Sequence, residues 1–327
     1  MPKELALVTG GAGFIGSHIA ESLLERGYEV RILDDFSTGK KAHIHLFESK
    51  VDLHQGSITD ESALKKALSG VRYVFHQAAI RSVPKSVDQP NLSNNVNVTG
   101  TLNVLRLAKE AGVKMVVYAS SSSLYGDGLV FPQHEELMPK PISPYAVSKL
   151  AGELYARVFA KSFGLPTISL RYFNVYGPRQ DPESIYSAVI PRFMELAKEG
   201  RALEIHWDGR QSRDFTYIGD VVQANLLALK APVKAYGEAF NVASGKSYSL
   251  LDLIRIIEKI IGRKLEKQFQ PRRHGDVRKT SASIAKARRL LKFKPQMAFE
   301  AGLLATWRYF ETDGEQAPAG GQLSAIH

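Results

Sequence analysis

Tyr145 and Lys149 stand four residues apart in a stretch of helical pattern, so their side chains share one helix face. A free phenol, with a pKa of about 10, is a poor base at neutral pH, but a neighbouring ammonium favours the phenolate. As a pair, Tyr-x-x-x-Lys occurs by chance in many helices. Its weight comes from Ser120-Ser121-Ser122-Ser123-Leu124-Tyr125-Gly126, which follows a strand expected at 114–119. In a parallel open sheet, ligands lie beyond the carboxyl ends of the strands, so the Ser122 and Ser123 hydroxyls are placed to bind a reacting substrate oxygen.

A second group of residues binds rather than reacts. Gly10, Gly13 and Gly16 lie in Val8-Thr9-Gly10-Gly11-Ala12-Gly13-Phe14-Ile15-Gly16, after the apolar run Leu5–Val8 and at the start of a helical pattern reaching about Arg26. Such spacing allows a tight strand-to-helix turn, close approach of backbone to a pyrophosphate, and close helix–strand packing. Phosphate then sits where unpaired N–H groups and the helix dipole point, around Phe14 and Ile15. After the helix, Glu29-Val30-Arg31-Ile32-Leu33 reads as a strand ending in Asp34-Asp35. An acid about 20 residues past the glycines hydrogen-bonds an adenosine ribose, and two carboxylates there repel a 2′-phosphate. NAD is therefore expected over NADP, and its nicotinamide cation would further favour a Tyr145 phenolate.

The 327 residues suffice for two domains, or for one large domain with an appended lobe. Hydrophobic residues at 44% and charged residues at 23% fit an ordinary globular chain. No apolar stretch approaches the roughly 18 residues of a membrane helix, and the first strand begins too early to leave room for a signal peptide. With no cysteine there are no disulfides, thiolate metal sites or cysteine nucleophiles, as expected of a cytoplasmic enzyme. The histidines include His43-x-His45 but no helix-spaced cluster with carboxylates, so no metal is expected.

The net charge of +10 is local. Residues 263–294 hold twelve Lys and Arg against Glu266 and Asp276, a net of +10 that leaves the rest of the chain neutral. The segment lacks interleaved aromatics and nucleic-acid motifs, so no nucleic-acid partner is expected. An anionic diphosphate would engage one or two of its arginines, and the others read as a solvated face.

The elements that must position these groups alternate. Strands are expected at 4–9, 29–33, 51–55, 71–76 and 114–119, and helices at 14–26, 60–69, 92–111 and near 40–48. That order predicts an α/β, Rossmann-type doubly wound parallel sheet. A long helix runs from the N-cap Ser143 and Pro144 to about Phe163, and Thr167–Tyr172 reads as a strand. Residues 1–174 read as the dinucleotide domain, 175–313 mainly as a smaller mixed α/β substrate lobe, and 314–327 as a loose tail. A segment near 214–245 containing Phe240-Asn241-Val242 is expected to return to the first sheet.

Taken together, the glycine turn, the Ser–Tyr–Lys set, Arg171-Tyr172-Phe173-Asn174-Val175-Tyr176-Gly177 and Asp208-Gly209-x-x-x-Arg213-Asp214-Phe215 resemble an extended short-chain dehydrogenase/reductase, within it the nucleotide-sugar 4-epimerases. The likeness covers about residues 4–310. It implies Ser121 as catalytic hydroxyl, Tyr145 as base, and Lys149 as the holder of the nicotinamide ribose and the phenolate. It places Ala78, Ala79 and Ile80 against the cofactor, with Phe173 also a cofactor contact. Asn97 matches a position near the cofactor, with the tying down of backbone an equal reading. Asn174, Arg213, Arg273 and Asp276 match contacts to a sugar diphosphate and uridine ribose. Where many relatives carry Asp-Ile/Leu toward adenine, this chain has Ser57-Ile58, which implies weaker recognition there or recognition through backbone. Ser283 replaces a common aspartate without a nameable effect.

The same resemblance narrows the reaction. Dehydratases of this kind place Asp-Glu directly after the catalytic hydroxyl and decarboxylases usually have a Glu nearby, whereas here both slots are serines, Ser122 and Ser123. Four residues after the aspartate of Arg273-His274-Gly275-Asp276, Thr280 stands where a tyrosine would narrow the C2 side of the sugar pocket. The expected substrates are UDP-GlcNAc and UDP-GalNAc, with UDP-glucose and UDP-galactose as a second pair. UDP-glucuronate 4-epimerisation, dehydration and decarboxylation are the rival reactions. A non-enzymatic NAD sensor or nucleic-acid binder is the rival class, and it often lacks the Tyr or Lys kept here. The helices at 92–111 and 143–163 imply a homodimer.

Overall fold

The computed structural model describes residues 3–182, 189–272 and 277–312. Its amino-terminal half runs β1 (Leu5–Thr9), α1 (Phe14–Glu25), β2 (Glu29–Asp34), β3 (Asp52–Gln55), α2 (Glu61–Leu68), β4 (Tyr73–His76), α3 (Val83–Asp88), α4 (Pro90–Asn94), α5 (Thr101–Glu110), β5 (Met115–Ser121), α6 (Pro144–Ser162) and β6 (Thr167–Tyr172). Beyond it come β7 (Val175–Tyr176), α7 (Val189–Lys198), β8 (Leu203–His206), β9 (Ser212–Asp214), β10 (Thr216–Tyr217) and α8 (Ile218–Ala228). The chain continues with β11 (Glu238–Val242), β12 (Ser247–Ser249), α9 (Leu250–Ile261), β13 (Lys267–Gln270), α10 (Ala285–Leu291) and α11 (Phe299–Glu311).

Seven strands form the expected doubly wound sheet, in the order β11-β6-β5-β4-β1-β2-β3 and parallel throughout. Burial on both faces explains why its strands read as apolar runs rather than as alternation. Ala6 and Val8 of β1 face a cluster that includes Ile19, Leu23 and Ala224, from α1 and α8. Leu7, between them, faces Leu64, Val104 and Phe159, from α2, α5 and α6. A third cluster gathers Phe193 and Met194 of α7, Leu253 and Ile257 of α9, and Phe299 and Leu303 of α11. That part of the chain carries short two-stranded pairings, β8 with β13, β9 with β12 and β7 with β10.

Chain order reverses on either side of β1, so the carboxyl ends of β1 and β4 bound a crevice at the switch point. Two expected helices differ in detail. The one at 92–111 is realised as α4, a π-helical stretch Asn95–Gly100 and α5. The one near 40–48 is two single 3₁₀ turns, Lys41–His43 and Glu48–Lys50. In that loop tertiary contacts override helical pattern: His43 hydrogen-bonds the Ala12 carbonyl at 2.9 Å, and Ile44 and Phe47 are buried. Within the basic segment, Lys264 and Lys267 pair with Glu258, Arg278 with Asp208, and Lys286 with Glu238. These pairs draw on acids outside the segment, which spreads its charge into the fold.

Candidate active site

The glycine turn joins β1 to α1. Gly10 has φ +69°, and a Cβ there would stand 2.7 Å from the Ala78 amide nitrogen. A Cβ on Gly16 would collide with the Gly10 carbonyl, so helix and turn can pack this closely only without side chains. Gly13, the N-cap of α1, meets only the Gly10 carbonyl within 4 Å and otherwise faces a cavity. Gly10, Gly13, Phe14, Ile15, Gly16, Asp34, Asp35, Ser57, Ile58, Ala78, Ala79, Tyr145 and Lys149 all line this one cavity.

The two acids at the carboxyl end of β2 do different work. Asp34 is buried, and its carboxylate accepts from Ala12 N and Phe36 N, both at 2.9 Å, so it braces the glycine turn. Burial pushes its carboxyl up, and those two N–H groups pull it down. Asp35 is exposed and accepts from the backbone N–H (2.9 Å) and hydroxyl (2.6 Å) of Ser37. Ser57 shares a hydrogen bond with Thr59 at 2.9 Å. His76, beneath the crevice, bonds Thr9 and Thr101 hydroxyls, and burial pulls it down to about 3, which keeps it neutral.

α6 brings the reacting groups in. Ser143 caps it by accepting from Ala146 N at 3.2 Å, and Pro144 begins it. The Tyr145 N–H donates to Ser86 Oγ at 3.0 Å, which ties the helix start to α3. Lys149 is 4% exposed, its Nζ donates to Ala119 O at 2.9 Å, and burial pulls it down to about 7. Ser121 Oγ accepts from Ser123 N (3.2 Å) and Ser123 Oγ (2.9 Å), and the Ser121 hydroxyl is near enough to the Tyr145 phenol to act on its ionisation. Burial pushes that phenol above 10, while the Ser121 hydroxyl and the Arg81 charge pull it back. Arg81 is thus one cation that acts on Tyr145, while the Lys149 ammonium is held on the Ala119 carbonyl.

Other expected contacts are placed differently. Asn97 is buried; its Oδ1 accepts from Ile80 N at 2.8 Å, and its Nδ2 donates to Ile80 O and Ser148 Oγ, both at 3.0 Å. It clamps the backbone next to the cavity and does not line it. Phe173 is fully buried, packs on Tyr125 with ring centroids 6.0 Å apart, and does not line the cavity either. Asn174 and Thr280 meet outside the cavity, beside Asp214. Arg213, on β9, donates to the Ser212 carbonyl at 2.9 Å. Arg273 and Asp276 lie outside the described residues.

Several lining residues escaped the sequence reading. Gln77 and Tyr172 border the cavity and share a hydrogen-bonded cluster with Asn225. Arg81, Lys85, His43, Arg179 and Asp181 also line it. Arg81 directly follows the Ala78–Ile80 stretch, a signal that was available. Arg179 and Asp181 reach the cavity from beyond Asn174, and no local pattern announces that.

A doubly wound sheet with a glycine cradle at a helix N-terminus, an acid-tipped second strand, and Tyr, Lys and Ser converging on one crevice defines a dinucleotide-dependent enzyme of the short-chain dehydrogenase/reductase type. The model of the NAD dependent epimerase/dehydratase family matches residues 6–243, and the chain belongs to that family. The UDP-glucose 4-epimerase of Thermotoga maritima, solved with UDP-glucose, is 38% identical with a TM-score of 0.89, over 94% of this chain and 99% of its own. The UDP-N-acetylglucosamine 4-epimerase of Methanobrevibacter ruminantium, solved with UDP-N-acetylmuramic acid, is 36% identical with a TM-score of 0.91, over 96% and 100%. A mutant UDP-glucuronic acid 4-epimerase of Bacillus cereus, solved with a fluorinated UDP-glucuronic acid and NAD, is 35% identical with a TM-score of 0.87, over 94% and 99%. The cofactor is NAD, and the cradle, the α1 N-terminus and the acids fit it.

Proposed function

We propose that this enzyme interconverts the C4 epimers of a UDP-hexose, acting on UDP-GlcNAc and UDP-GalNAc and, as a second pair, on UDP-glucose and UDP-galactose. The observation that carries the reading is the convergence of Tyr145 and Lys149 on one wall of the cofactor cavity, with the Ser121 hydroxyl acting on the phenol. Tyr145 takes the proton of the 4-hydroxyl and later returns it, and Ser121 holds the same oxygen. NAD, which Gly10, Gly13, Phe14 and Ile15 would hold, would supply reversible hydride acceptance at C4. Burial opposes a phenolate at Tyr145, so the base depends on nearby positive charge, from Arg81, from Lys149 when protonated, and from the oxidised cofactor. Ser122 and Ser123 add no acid or base for loss of water or carbon dioxide, which favours epimerisation over those reactions.

The N-acetylated pair is favoured because Thr280, beside Asn174, is a small residue at the expected C2 side of the sugar. A homodimer through α6 and its neighbours is supported by Val147, Leu154 and Val158, each about half exposed on one face of that helix. Among the described residues no helix is long and apolar enough to cross a membrane. We infer a cytoplasmic enzyme from this together with the absence of cysteine.

The test is incubation with UDP-GlcNAc, UDP-glucose and UDP-glucuronate, with products identified by NMR. A C4-inverted N-acetylhexosamine is the expected main product. A 4-keto-6-deoxy sugar, or a pentose from UDP-glucuronate alone, would replace this reading with dehydration or decarboxylation. Tyr145→Phe should fold, keep NAD and lose turnover by about 10²-fold or more.

A further inference from the structure

Arg179 stands out among the cavity residues on three counts. It is 6% exposed. Its backbone is left-handed at φ 63°, a conformation that is strained for a non-glycine residue and persists where the surroundings enforce it. Its Nη2 donates to Glu21 at 2.8 Å, but its buried Nη1 has no hydrogen-bond partner. A buried guanidinium N–H without an acceptor is expensive, and here it belongs to a side chain that lines the cavity.

The surroundings say which ligand group Arg179 meets. Glu21 and His18 are on α1, and His18 Nε2 hydrogen-bonds the Pro178 carbonyl at 3.0 Å, so the segment carrying Arg179 lies along that helix. The guanidinium sits over the Phe47 ring, 5.8 Å from its centroid, in the β2–β3 loop, which His43 ties to the glycine turn at Ala12. Next to it, Asp181 pairs with Lys40 at 3.2 Å. Arg179 thus approaches the part of the cavity that the amino end of α1 faces, where backbone N–H groups favour an anion.

We propose that Arg179 binds the diphosphate of the dinucleotide, a fixed guanidinium supplied from beyond Asn174 to complete a site that the α1 N-terminus opens. The inference rests on the assignment of the cavity to NAD. A cofactor that must stay in place between two hydride transfers gains from being gripped from both sides, and Glu21 holds the guanidinium in position before the cofactor arrives.

The test compares ligands with and without the diphosphate. Wild-type protein, Arg179→Met and Arg179→Lys, each freed of nucleotide, are titrated calorimetrically with NAD, ADP and adenosine. Arg179→Met should weaken NAD and ADP by about tenfold or more and leave adenosine unchanged, with Arg179→Lys in between. Equal losses on ADP and adenosine, or no loss on ADP, would overturn the proposal. If Arg179→Met does not fold, Arg179→Lys decides: a loss on NAD and ADP that spares adenosine supports the proposal, and unchanged ADP affinity overturns it. Failure of the wild type to bind NAD or ADP at all would instead remove the cofactor assignment, and this inference with it.

Discussion

Asn174 Nδ2 donates a hydrogen bond to Thr280 Oγ1 at 3.1 Å, and the Asp214 N–H donates to the same oxygen at 3.2 Å. The Thr280 hydroxyl therefore braces Asn174, and the proposed function gives its small side chain a second role, leaving room beside the sugar. Thr280→Tyr changes both, so the steric effect needs a control. Thr280→Val keeps the size but withdraws the acceptor, and should cost about tenfold in kcat/KM on both sugar pairs. Thr280→Tyr should lower turnover of UDP-GlcNAc by a further order of magnitude relative to UDP-glucose. If the tyrosine variant loses equally on both, Thr280 is no gatekeeper.

Tyr145, Lys149 and Glu153 recur at four-residue spacing on α6, and the third is a buried anion. Glu153 accepts from Ser120 Oγ at 2.7 Å and from Arg171 Nη2 and Nε at 2.6 and 3.0 Å. Arg171 Nη1 then donates to Tyr125 Oη at 2.8 Å, and Tyr125 to Asn241 at 2.7 Å. Both ends of the Ser120–Tyr125 segment thus hang on one ion pair. Removing either partner strands a buried charge, at about 3–5 kcal/mol. Glu153→Gln and Arg171→Met should each lose that much in urea unfolding, and the double substitution Glu153→Gln/Arg171→Met clearly less than their sum. Strict additivity would show that the two residues act separately.

The sheet was legible because its signals are local: apolar runs, a glycine turn, and acids at a strand end. Ser143 and Pro144 marked the start of α6 for the same reason. What stayed hidden depends on where distant chain meets distant chain. Asn97 and Phe173 look alike in sequence whether they face a ligand or the core, and their burial appears only in the packed fold. Arg179 lies some 160 residues from the helix it touches, and its left-handed backbone leaves no trace in composition. Asp34 matched its motif, yet its two backbone bonds to Ala12 and Phe36 make it a brace for the turn, with Asp35 the more exposed acid of the pair.

α6 turns Ala146, Lys149, Glu153 and Ala156 inward and leaves Val147, Leu154 and Val158 at 53%, 54% and 44% exposure. A row of apolar side chains that none of the described residues covers is what a second copy would bury. Leu154→Glu/Val158→Glu should convert a dimer to a monomer in light scattering at micromolar concentration while keeping the melting transition cooperative. A monomeric wild type under those conditions would remove the dimer from consideration.

Lys149 gives a prediction about stability rather than rate. Burial pulls its ammonium down to about 7, while a lysine in the unfolded chain titrates near 10.4. Below about pH 7 both states are protonated, and the folded protein carries the full cost of a buried charge. Between the two values the unfolded chain holds the extra proton, so this group's contribution to stability rises with pH, by at most about 1.4 kcal/mol per unit. Above that window both states are neutral and the cost is gone. Lys149→Met should therefore lose turnover yet be more stable than nucleotide-free wild type at pH 6.5, with the two converging as pH approaches 9.5. Urea unfolding at pH 6.5, 8 and 9.5 measures this directly. Parallel curves for the two proteins would mean that Lys149 keeps its ordinary affinity for a proton inside the fold.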